Sequence, residues 1–63
     1  MPTNNELKTI QKQTLHKYLL IKHDLRSRNI ESKPLEETIS ETIAGMDAED
    51  VAYVQKVVEK LIG

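Results

Sequence analysis

His16 and His23 are the side chains in this 63-residue chain best suited to moving a proton or holding a metal ion, because imidazole titrates near neutral pH. They stand seven residues apart. On a helix that is two turns, about 10–11 Å, too far to share one ion, and helical metal sites use a spacing of four. Two solvated histidines account for them better. Ser27, Ser32 and Ser40 have no general base at a spacing that reaches them. Glu36, Glu37 and Glu41 repeat as the solvated face of a helix does. A calcium loop needs several Asp or Asn ligands around a glycine bend, and the stretch GMDAED is too short for one. With no Cys in the chain, thiolate metal sites and disulfides are excluded. The expectation is a protein that is not an enzyme and carries no metal or other cofactor.

The elements that position these residues are helical. Apolar residues recur at three- and four-residue spacing, and strand signals are nearly absent. The pattern predicts an all-α domain spanning 1–63: a long N-terminal helix over about 6–28 packed on a helical hairpin over about 34–44 and 48–62. Residues 1–5 form a flexible start and 29–33 the connection. Asn4 or Asn5 is the expected cap of the first helix, and Asn29 followed by Ile30 is a left-handed ending with Leu25 in the last turn. Pro34 suits the first turn of the second helix. Leu35, Ile39, Ile43 and Met46 form one narrow stripe on that helix, and Gly45 ends it. Asp47 is the expected cap of the third helix, with Asp50 reaching back and Met46 packing on Val51. Val51, Val54, Val58, Leu61 and Ile62 make its inner face, with Val57 at the border and Gly63 at its end.

Charge divides the chain. Residues 1–33 hold seven basic and three acidic side chains, a net +4, and residues 34–63 hold two and seven, a net −5. Attraction between the halves explains this more simply than a polyanion partner does.

The first helix carries more apolar surface than one face can collect. Leu7, Ile10, Thr14, Tyr18, Ile21 and Leu25 form the stripe expected to meet the hairpin. Leu15 and Leu19 lie on its flank among Lys8, Lys12, Lys22 and Arg26, with His16 and His23 just beyond and Leu20 pointing nearly opposite. An apolar centre with a polar rim is what protein interfaces present. The partner-binding residues expected are therefore Lys12, Leu15, His16, Leu19, Leu20, Lys22, His23 and Arg26. The competing account is a wide intramolecular core with lysine stems lying over its edge.

A chain this short buries only about 60% of its unfolded surface, so a homodimer is the economical source of further stability. The function expected is a small protein-binding regulator, inhibitor or adaptor, with itself and an acidic-surfaced protein as partners. A nucleic-acid-binding dimer using the basic helix is the alternative, and a purely structural subunit the third reading. A helix-turn-helix role for the hairpin is disfavoured because Asp47, Glu49 and Asp50 would lead the recognition helix towards phosphate. The longest apolar run, Tyr18 to Ile21, falls far short of the ~20 residues that span a membrane. The start, MPTNNELK, lacks the pattern of a signal peptide. A cytoplasmic protein with no membrane contact is expected.

Overall fold

The structure, a computed structural model, describes residues 4–62. Three helices follow in order: α1 (Asn4–Ser27), α2 (Lys33–Ala44) and α3 (Ala48–Ile62). The fold is all-α, as the spacing predicts. Asn4 and Asn5 are already helical, so neither caps α1. The expected flexible start lies, for residues 1–3, outside the described residues, as does the helix-ending role of Gly63.

α1 stops where its sequence says it should. Asn29 adopts φ 60°, a left-handed conformation that Asn tolerates better than most residues. The Ile30 amide then donates to the Leu25 carbonyl at 2.9 Å, and the Asn29 amide to that of Arg26 at 3.0 Å. These are the two bonds of a Schellman ending.

α2 begins at Lys33, one residue before Pro34, which takes its expected place in the first turn. Ser32 holds an extended backbone and its Oγ accepts the Leu35 amide at 3.3 Å, so the cap is a serine of the expected 29–33 connection. Ser32→Ala is expected to cost about 0.5–2 kcal/mol, read as a lower urea midpoint by circular dichroism.

α3 starts at Ala48, as expected, but the side chains at its start are engaged differently. The Asp47 carbonyl accepts the Val51 amide at 3.1 Å. Its carboxylate, however, turns to α1 and pairs with Lys8 at 3.1 Å, and Asp50 pairs with Lys12 at 3.6 Å. The two acids meant to satisfy the helix start instead tie it to α1.

Those ties set the topology. The Gln11 side-chain amide donates to the Gly45 carbonyl at 3.2 Å, which brings the end of α2 back to the first half of α1. α2 is thus antiparallel to α1, and α3, starting beside Lys8 and Lys12, runs parallel to it. α1 packs on both other helices, which touch each other only slightly. At 24 residues α1 is about 36 Å long, and it sets the 39 Å length of the molecule.

The core is small. Leu15, Ile39, Val54 and Val58 are its buried members, and Tyr18, Leu19, Leu20, Leu35, Ile43, Met46 and Val51 pack against them. The stripe predicted for α2 therefore faces inward throughout, as do Val51, Val54 and Val58 of α3. Leu61 and Ile62 do not, and Leu61 is 65% exposed. Because α2 barely touches α3, nothing on that side covers the last turn.

The largest departure is the rotation of α1. Leu15, expected on an outer flank, is 0% exposed, whereas Leu7, Ile10 and Ile21 of the predicted core stripe are 47%, 52% and 39% exposed. The helix is turned about a quarter of a revolution from expectation. Lys8 and Lys12 lie on the Leu15 side of α1 and reach Asp47 and Asp50 only in this orientation. Burying the Leu7–Ile21 stripe instead would swing both lysines away from α3.

Candidate functional site

The eight residues expected to bind a partner do not form one surface. Leu15 sits at the centre of the chain's own core, and Leu19 and Leu20 are half-buried against it. These three leucines are therefore not an exposed cluster: the wide core with lysine stems over its edge accounts for them. The polar members divide between two clefts flanking α3.

Lys12 and His16 line a cleft of about 210 Å³ together with Gln13, Tyr53, Val54 and Val57. Lys12 is held there twice, by Asp50 and by the ring of Tyr53, whose centroid lies 5.5 Å from its Nζ. That distance is within the range of a cation–π contact. Leu19, Lys22, His23 and Arg26 line a second cleft of about 330 Å³ with Gln55, Val58 and Glu59. Its floor is apolar and its rim carries three potential cations against one carboxylate. The two histidines belong to different clefts. Among the described residues, no three His, Asp or Glu side chains gather as a metal site would require.

Part of the charge division is resolved within the chain. The basic first half of α1 meets the acidic start of α3, and Asp47 raises the Lys8 pKa above its usual value, by hydrogen bonding first and by charge second. A raised lysine pKa favours the folded state at all pH values below the unfolded pKa and is lost only as pH climbs through the folded value. The linkage is thus complete at neutral pH and fades only in strongly alkaline solution. Near the end of α1, Asp24 pairs at 3.6 Å with Arg28, just past the last helical residue.

What the sequence reading missed is the face that the rotation leaves outside. Leu7, Ile10 and Ile21 run along α1 with half-buried Thr14 between them. Lys17 borders the row. A second, shorter ridge on α3 carries exposed Tyr53 and Leu61, with half-buried Val57 midway at the same four-residue step. The matched spacing of Lys8 with Lys12 and of Asp47 with Asp50 was the available signal. Two cations one turn apart on one helix, facing two acids one turn apart on another, fix the rotation of both.

No described helix is long and apolar enough to cross a membrane. Compared with family models, with curated proteins and with solved structures, the chain gives no match.

Proposed function

We propose that this chain is a small non-enzymatic protein-binding regulator or adaptor that works through α1 as a homodimer. One observation carries the proposal: α1 has apolar side chains on two sides, and the monomer covers one of them. Leu15 is sealed in, while Leu7, Ile10 and Ile21 stand about half exposed along the same helix. Scattered surface leucines need no explanation, but a row on one helix face is the kind of apolar surface that marks a contact site. Pairing through that row leaves the cleft of Leu19, Lys22, His23 and Arg26 open. Three potential cations over an apolar floor favour an acidic, partly apolar segment of a client protein.

A phosphate-binding role for α1 has less support. Lys8 and Lys12 already face Asp47 and Asp50, and Glu59 shares the cleft of Lys22 and Arg26. Neutralised lysines release few counterions, so phosphate affinity would be small.

The test is light scattering across a wide concentration range at low and high salt. The mass should climb from one chain towards two and do so at both salt concentrations. A single-chain mass throughout would contradict the homodimer.

A further inference from the structure

The uncovered row on α1 has an internal symmetry. Leu7 and Ile21 each lie seven residues from Thr14, and Ile10 and Tyr18, the latter at the row's inner edge and half-buried against the core, each lie four. A two-fold axis through Thr14, perpendicular to the helix, therefore carries apolar positions onto apolar positions. We infer that a second copy of this chain occupies the row, with its α1 antiparallel to the first and the axis at Thr14. Leu7 then shares a layer with the partner's Ile21, Ile10 with the partner's Tyr18, and Thr14 meets the partner's Thr14. This rests on the proposal that the chain pairs through the Leu7–Ile21 row, and adds the direction and the register of that pairing.

Three features favour this occupant and this direction. Thr14, the smallest side chain of the row, falls where the helix axes come closest, so that two helices can pack at the usual separation of about 8–10 Å. Lys17 argues against the parallel alternative. In a parallel, in-register pair it would face its own copy at the seam, a like-charge juxtaposition that disfavours an interface. In the antiparallel pair it lies beside the partner's Gln11, six residues or about 9 Å along the axis from the partner's Lys17. Asp24, which borders the same side, is already paired with Arg28 at 3.6 Å. The placement of α2 also leaves room. It runs back along α1 from the Leu25 end to Gln11, so most of it lies on one side of Thr14, and the partner's α2 falls mostly on the other.

Size sets the strength. The row from Leu7 to Ile21 is about 21 Å long, and a standard interface buries about 800 Å² per partner, roughly one-sixth of the 5119 Å² this chain exposes. One seam of about four turns gives less than that. The dimer is thus of the weak, concentration-dependent class, and it adds apolar cover to a core in which four of the described side chains are buried.

The experiment uses thiols, since the chain has no Cys of its own. Thr14→Cys, Leu7→Cys and Ile21→Cys are prepared separately, checked for helix content, and oxidised at a concentration where the wild type is dimeric. Thr14→Cys should cross-link by itself. Leu7→Cys mixed with Ile21→Cys should cross-link at least tenfold faster than either alone. Equally fast linking of Leu7→Cys alone would overturn the antiparallel register while leaving the row as the contact. Adding Ile10→Asp to Thr14→Cys should slow linking at least tenfold. Undiminished linking there would overturn the register and the protein-binding role of the row together. A wild type that stays single-chain at millimolar concentration would remove the second copy as occupant.

Discussion

Leu15→Ala should bring the domain to the edge of unfolding at 25 °C. Leu15 is the one described residue with no exposed surface, and it packs with Ile39, Val54 and Val58 from the other two helices. Truncating a buried leucine to alanine costs about 2–5 kcal/mol, the spread reflecting how far the site collapses. A core in a domain of this size supplies only about 3–5 kcal/mol altogether. The two ranges overlap, so the variant should show a urea midpoint close to zero and a broad thermal transition. Chemical denaturation followed by circular dichroism measures it. A loss below about 1 kcal/mol would be surface behaviour, and would mean that α1 is not rotated as described.

Ile10→Asp should do the opposite. Ile10 is 52% exposed, so folding at low concentration should change by no more than about 0.5 kcal/mol, as for other surface substitutions. Association should weaken at least tenfold, because the seam loses the apolar contact of Ile10 and must desolvate a carboxylate, a cost that the partner's Lys17, solvent-exposed at its rim, does not repay. Sedimentation equilibrium of the two proteins side by side reads both halves of the expectation. The pair of substitutions therefore separates the two faces of α1: one undermines the fold, the other only the assembly.

Why these faces were interchanged in the sequence reading follows from α1 itself. α2 and α3 each present one narrow stripe, and a 3–4 repeat identifies such a stripe without ambiguity. Leu35, Ile39 and Ile43, and likewise Val51, Val54 and Val58, face inward as their spacing requires. The stop at Asn29 and Ile30 was equally legible, because a left-handed ending depends on local residue type alone. α1 spreads its apolar residues over about half its circumference, so periodicity offers two faces and cannot choose between them. The choice falls to tertiary partners. The apolar stems of Lys8 and Lys12 lie along the Leu15 side while their ammonium groups reach Asp47 and Asp50. Surrounded by lysines, Leu15 looked like surface for the reason that makes it core. Leu61 shows the converse limit: its position on the helix is right for burial, but α2 and α3 diverge and nothing arrives to cover it.

The central claim, that α1 is sealed on one side and contacts protein on the other, is tested most directly by methyl NMR on leucine- and isoleucine-labelled protein during dilution from millimolar to micromolar concentration. The account predicts shifts confined to the methyl groups of Leu7, Ile10 and Ile21, with those of Leu15 and Ile39 unmoved. Shifts centred on Leu15 and Leu19, or none at any concentration, would contradict it.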